Sequence, residues 1–286
     1  MELSIEHDPN FGSMNEEELS ANWKQAAKSN VNDVVKERQA KIKVFRDLLA
    51  QHHIQLRPGD DHQLLGILRS ANCDVKKALD VAKEFLEYKI HCTNVLPSTV
   101  REMITDNLKR FMVLPHRDKH GRRIIVYKMW DADKYPYKTI MEMFYVLCMM
   151  LSREVKTQIA GISLVGDMAG MTRKHVPSTW SDIQTWATFM KGGVPVWFHS
   201  IHILNGPWLF EFLYSFAKPL LNDKTKGNVV LHKRADGFKT LHAEIDPQIL
   251  PEEFGGTAGK LDNSLCLSAA LKLDDYFKDL QNSTID

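Results

Sequence analysis

Apolar positions recur at helical spacing through the first third of the chain. From Val31 to His53, the residues Val34, Val35, Ile42, Phe45, Leu48 and Leu49 share one face, and Arg57-Pro58-Gly59 breaks the pattern. A shorter helix is expected from about Asn15, because Glu16, Glu17 and Glu18 suit the positive end of a helix. Asp60 or Asp61 caps a helix over Gln63 to Ser70. Asp74 caps another over Val75 to Ile90, with a stripe of Leu79, Ala82, Phe85 and Leu86. Pro97 opens a helix carrying Val100, Ile104 and Leu108. Beyond about residue 110 the rhythm changes. Arg123 to Met129 (RIIVYKM) is a short β-branched run after a turn at Gly121, and reads as a strand. Ile162–Val165, Val194–Leu204 and Val229–Leu231 read the same way. Helices are expected at Tyr137–Lys156, Pro177–Met190, Pro207–Leu221 and Ser264–Leu280. Alternating strands and helices imply a largely parallel sheet with helical crossovers.

Composition narrows the class. The 286 residues carry 37 Lys plus Arg against 36 Asp plus Glu, a net charge of +1 that gives no global reason to expect nucleic acid. With 44% apolar residues the chain can bury a core, which excludes a disordered protein. Cys73, Cys92, Cys148 and Cys266 are widely spaced and form no CxxC, so a reducing compartment is expected and neither a disulfide framework nor a zinc site. The first ten residues hold three acids and no apolar stretch, so no signal peptide is expected, and no run of about 18 apolar residues predicts a membrane span. The expected location is cytoplasmic.

Catalytic motifs are missing where an enzyme should show them. Gly161-Ile-Ser163-Leu-Val165 resembles a nucleophile elbow, but its last glycine comes one position late, at Gly166. There is no G-x-G-x-x-G after a strand and no Walker A sequence. His199 and His202, three apart on one predicted strand, point to opposite faces and do not share a metal. No catalytic residue, metal or cofactor is therefore expected.

The segment from Val194 to Leu221 has only Glu211 and Lys218 formally charged. Its helix bears Trp208, Leu209, Phe210, Phe212, Leu213, Tyr214 and Phe216, which spread around nearly the whole circumference. A surface helix is apolar on one stripe only. Two readings stand: a fully buried helix, or one with two apolar clients, a hydrophobic cavity on one side and a membrane on the other. The preceding long helix presents Ile140, Phe144, Cys148, Leu151 and Val155 along one side, with several methionines that suit an irregular wall. A basic cluster of Lys224, Lys226, Lys233, Arg234 and Lys239 follows, and beside a lipophilic helix it favours anionic headgroups.

These stretches resemble the CRAL-TRIO lipid-transfer family, nearest its tocopherol- and retinaldehyde-binding branch. Asp60-Asp61-His-Gln-Leu-Leu-Gly-Ile-Leu-Arg69 with Asp74-Val-Lys-Lys-Ala-Leu79 resembles the family's N-terminal helices, and Gly121-Arg-Arg-Ile-Ile-Val-Tyr127 its first lipid-domain strand. Ile201-His-Ile-Leu-Asn205-Gly-Pro207 and Lys218-Pro219-Leu-Leu are similar to the flanks of its lid helix, and Leu250-Pro251-Glu-Glu-Phe254-Gly255-Gly256 to its closing motif. The resemblance implies an α/β fold: a mixed, largely parallel sheet forming a hydrophobic bowl, walled by helices under a mobile lid helix, and preceded by a small helical domain. The expected division is a flexible tail at 1–13, helical domain at 14–110, lipid-binding domain at 111–256 and helical tail at 257–286.

By the same resemblance the pocket wall includes Met141, Phe144, Cys148, Phe189, Val194, Val196 and Ile201, joined on the helix pattern by Leu151. The lid carries Trp208, Phe210, Phe212, Leu213 and Phe216. Lys224 and Lys226 are assigned to contact with anionic lipid. The family's basic pair for phosphoinositide phosphates is replaced here by Trp197 and His199, so phosphoinositide-coupled release would need other residues. The expected function is to hold one small hydrophobic molecule (a retinoid, a tocopherol or another isoprenoid-like lipid) and to move it between membranes as the lid opens. Its expected partners are that ligand and a membrane surface touched reversibly, with no nucleic acid and the chain a monomer. A phosphoinositide- or phospholipid-sensing module without carrier activity stands as the alternative.

Overall fold

The computed structural model describes every residue except 1, 2, 13, 15–18, 58, 59, 93, 94, 108, 221–226, 282, 283 and 286. In chain order the elements are β1 (Glu6–His7), α1 (Ala21–Val31), α2 (Arg38–Gln51), β2 (Ile54–Gln55), α3 (Asp61–Ser70), α4 (Val75–His91), α5 (Arg101–Asp106), β3 (Phe111–Arg117) and β4 (Arg123–Lys128). Then come α6 (Tyr137–Leu151), α7 (Val155–Ala160), β5 (Ile162–Asp167), α8 (Trp180–Thr188), β6 (Phe198–Leu204), α9 (Trp208–Ala217) and β7 (Val229–Leu231). Short helices at Ser264–Ala270 and Asp274–Leu280 follow.

Six strands form one sheet in the order β1-β3-β4-β5-β6-β7. β1, β3 and β4 pair antiparallel, and β4 to β7 run parallel. Alternation along β4 and β5 sorts the side chains. Ile124, Val126, Val165 and Leu204 pack on one face against Leu241, Ile245, Ile249, Leu250 and Phe254. Ile125, Leu164 and Ile201 lie in register on the other face, towards α6 and α8.

The N-terminal helices share that second core. Tyr88 of α4 lies 5.1 Å from Phe189 and 5.9 Å from Tyr145, ring to ring. Asp60 and Asp74 accept from the first backbone N–H groups of α3 and α4, as capping predicts. Arg69, buried on α3, donates to Asp33 at 2.9 Å and to Gln158 of α7 at 2.6 Å. This ties the helical half to the sheet half.

Several elements depart from the sequence expectation. Residues 3–12 are held against the body where a flexible tail is expected. Glu6–His7 pairs with β3, and Asp8 accepts from buried Arg117 at 2.7 Å. The strand β3 was not expected, because Pro115 inside it breaks the β signal. The predicted helix Tyr137–Lys156 is two helices, α6 and α7, parted at Ser152–Glu154. The predicted strand Val194–Leu204 begins only at Phe198. A π-helical turn, Phe189–Gly193, and Pro195 occupy the residues before it. At Gly193 a Cβ would fall 2.8 Å from Tyr88, so the turn needs glycine to approach α4.

A buried ion cluster sits behind these elements. Arg117 donates to Glu154 at 2.6 Å, and Arg123 donates to both carboxylate oxygens of Glu154 at 3.0 Å. Burial pushes the Glu154 carboxyl up, but Arg123 and Arg117 outweigh it and hold the group below the usual carboxylate range.

Candidate functional site

A cavity of about 190 Å³ lies on the sheet face carrying Leu164 and Ile201. Its floor is built by strand register: Leu164, Ile201 and Val229 are aligned Cα partners across β5, β6 and β7, and Tyr127 and Ile203 extend that surface. Ile140, Met141 and Phe144 of α6 form one wall. Ile183 and Trp186 of α8 with Phe189 and Met190 of the π-turn form another, and Met168, Met171 and His175 close one side.

Among the described residues, no Lys, Arg, Asp or Glu lines this cavity. Both ring nitrogens of His175 are engaged. Its Nδ1 accepts from the Thr172 backbone N–H at 3.1 Å, and its Nε2 therefore carries the proton and donates to Trp130 O at 3.0 Å. Trp130 Nε1–H is likewise engaged with Tyr135 O at 2.9 Å.

The roof is α9. Phe210, Leu213 and Tyr214 line the cavity. Trp208, Phe212 and Phe216 point away from it and are 73%, 52% and 50% exposed. Those three rings stack edge to face along the outer side, with centroids 6.4 Å and 4.8 Å apart. Spacing explains the split: 208, 212 and 216 are four apart, and 210, 213 and 214 occupy the opposite side. Asn205, with φ +50°, and Gly206 precede the helix. Lys218–Leu220 tightens into a 3₁₀ turn after it.

Of the residues expected in the wall, the structure brings Met141, Phe144, Phe189 and Ile201 together, with Phe210 and Leu213 above them. Cys148, Leu151, Val194 and Val196 are not in the lining. Cys148 and Leu151 lie one and two turns beyond Phe144, fully buried in packed core, and burial pushes the Cys148 thiol up. Val194 and Val196 flank Pro195 in the turn before β6, so strand alternation does not aim them at the cavity. Lys224 and Lys226 lie outside the described residues. Trp197 is not a lining residue either; it packs over Gly161, where a Cβ would come within 2.9 Å of the indole. Sequence reasoning missed Tyr137, Met168 and Met171. Alternation along β4 places Tyr127 on the same face as Ile125. No periodic signal marks the loop methionines.

An uncharged hollow under a helix that is apolar on both sides defines a binder of lipophilic molecules. The chain belongs to the CRAL/TRIO domain family, whose model matches residues 107–256, and whose members bind and transfer lipids. Similar proteins include human alpha-tocopherol transfer protein-like, 25% identical over 244 residues, which cover 82% of this chain and 70% of that protein. Clavesin-1 from Rattus norvegicus is 31% identical over 153 residues, 52% of this chain and 43% of that one. A more distant likeness, at 12% identity and a TM-score of 0.48, is to the crystal structure of Sfh5, over 89% of this chain and 98% of that one. No helix among the described residues is long and apolar enough to cross a membrane.

Proposed function

We propose that this protein carries one lipophilic molecule in the cavity beneath α9 and exchanges it with a bilayer when α9 swings away. The observation that carries the reading is the division of α9. One side completes the cavity, and the other holds a ladder of three exposed aromatics. Exposed rings in a row are costly in water and suit insertion into a membrane interface.

The physical problem is solubility. Burying about 20 carbons is worth on the order of 16 kcal/mol at about 0.8 kcal/mol per CH₂, roughly eleven powers of ten in partitioning. A carrier needs a cavity about as apolar as a bilayer, so that exchange is nearly balanced and the barrier is lid opening. A bilayer lowers that barrier by accepting Trp208, Phe212 and Phe216 in place of water. Lys218, Lys233 and Arg234 lie near the lid's ends and favour an anionic surface. The likeness to a tocopherol transfer protein-like chain supports a tocopherol-like isoprenoid lipophile as cargo. The reading assigns the chain no catalytic role and no cofactor.

The test is movement of fluorescent retinol or tocopherol from donor to acceptor vesicles, with and without anionic lipid. Carriage predicts transfer that rises with protein concentration and with anionic lipid in the acceptor. Headgroup-dependent vesicle binding without any transfer contradicts carriage and favours a phospholipid-sensing module.

A further inference from the structure

Besides that of Tyr214 on the roof helix, two hydroxyl groups in the cavity wall have no described hydrogen-bond partner. They belong to Tyr127 of β4 and Tyr137, the first residue of α6. Both side chains are partly buried. Burial pushes both phenols up, joined at Tyr137 by the Asp182 charge, so they remain protonated and able to donate. A hydroxyl cut off from water by a bound guest needs a partner, because an unmet one costs about 1–3 kcal/mol. Here each borders an otherwise apolar hollow.

The backbone prepares the position of Tyr127. Its Cα partner on β5 is Gly166. A Cβ there would fall 2.4 Å from Tyr127 Cζ and 2.5 Å from its hydroxyl, so the ring lies across the neighbouring strand only because that residue is glycine. Phe144 meets the Tyr127 ring edge-on at 5.6 Å, Phe111 stacks on it at 6.5 Å, and Phe111 and Phe144 touch at 4.9 Å. The hydroxyl is thus held in place by a glycine on one side and two phenylalanines on the other.

Resting on the carrier reading above, we propose that Tyr127 and Tyr137 form the polar end of the ligand site and select a lipophile with an uncharged oxygen head, a hydroxyl or a carbonyl. A phenol donates to a carbonyl, and with a hydroxyl it either donates or accepts. A carboxylate or phosphate head is rejected, because the wall offers no cation and a lone charge in an apolar hollow is strongly disfavoured. A plain hydrocarbon leaves both phenols unmet. The site therefore ranks neutral alcohols and aldehydes above hydrocarbons and anions of the same length.

The test uses the full chain loaded with Nile red, an uncharged dye, and its displacement by hexadecanol, hexadecanal, hexadecane and palmitate. Hexadecanol and hexadecanal are expected to displace the dye at about tenfold lower concentration than hexadecane, the equivalent of one hydrogen bond, with palmitate weakest. Tyr127→Phe combined with Tyr137→Phe is expected to lose the preference for the alcohol over the hydrocarbon, read as the ratio of their displacing concentrations on the same variant. Gly166→Ala, which displaces the Tyr127 ring without removing its hydroxyl, is expected to weaken the same preference. Failure of the wild-type chain to take up Nile red overturns the carrier reading and this proposal together. Dye uptake with equal ranking of hexadecanol and hexadecane, tight palmitate binding, or an unchanged ranking in the double variant overturns this proposal alone.

Discussion

At the scale of single residues, the outer side of α9 is where function and stability separate. Phe212 and Phe216 are half exposed, so replacing both with Ser removes little buried area. The double variant should melt within about 0.5 kcal/mol of the parent and yet transfer lipid at least about tenfold more slowly. Vesicle transfer measured beside thermal unfolding decides it, and an unchanged transfer rate refutes a membrane role for these rings. Glu154 presents the opposite case. Changing it to Gln leaves Arg117 and Arg123 buried against Asp8 with one carboxylate too few. A loss of about 3–5 kcal/mol in urea unfolding is expected. The apolar half of this residue-level picture was legible. Phe210, Leu213 and Phe212 stood out because their helix is apolar all round. The ion cluster was not, because Arg117, Arg123 and Glu154 read by default as solvated charges, and only the pairing of β1 with β3 brings Asp8 to them.

At the scale of elements, β5, β6 and β7 are joined on the side away from the cavity by a chain of side-chain hydrogen bonds. It runs Ser163 to Ser200 at 2.9 Å, Ser200 to His202 at 3.0 Å, His202 to His232 at 3.0 Å, and His232 to Thr240 at 2.7 Å. Burial lowers His202 to about 4, helped by the positive charges that His232, Arg122 and His199 bring near it. Burial also lowers His232, against the pull of Glu244 and Asp236. The unfolded chain takes up these protons near pH 6.5 and the folded one at lower pH, about 4 for His202, so acid favours unfolding. Urea midpoints should fall as pH drops from about 6.5 towards 4, and His202→Gln should flatten that fall. An unchanged slope in the variant would show that other groups govern the acid limb. Elements were legible where their breakers sit at their ends, as Pro207 does before α9. They were misread where the breaker lies inside. Pro195 delays β6, which moved Val194 and Val196 off the cavity, and Pro115 hid β3.

At the scale of the whole molecule, the alternation beyond residue 110 made the mixed sheet legible, and the ordered motifs pointed to the family. What no local pattern carries is how far the two halves share one core. Tyr88 and Phe85 of α4 belong to the same buried cluster as Phe189, Tyr145 and Cys148, and Arg69 bridges to Gln158. A fragment of residues 111–256 should therefore show no cooperative unfolding transition by circular dichroism. A sharp transition in that fragment would mean the helical half is dispensable for folding. The shared core also fixes the walls of the cavity, whereas α9 contributes no fully buried side chain among those described. The central claim is that the hollow under α9 holds one lipophilic guest. Native mass spectrometry of the purified chain after exposure to a total lipid extract tests it most directly. The account predicts a single added mass per chain, that of one neutral lipophile, lost when the α9 cavity face is changed by Phe210→Asp. Folded protein that emerges with no added mass from extracts rich in retinoids, tocopherols and sterols would contradict it.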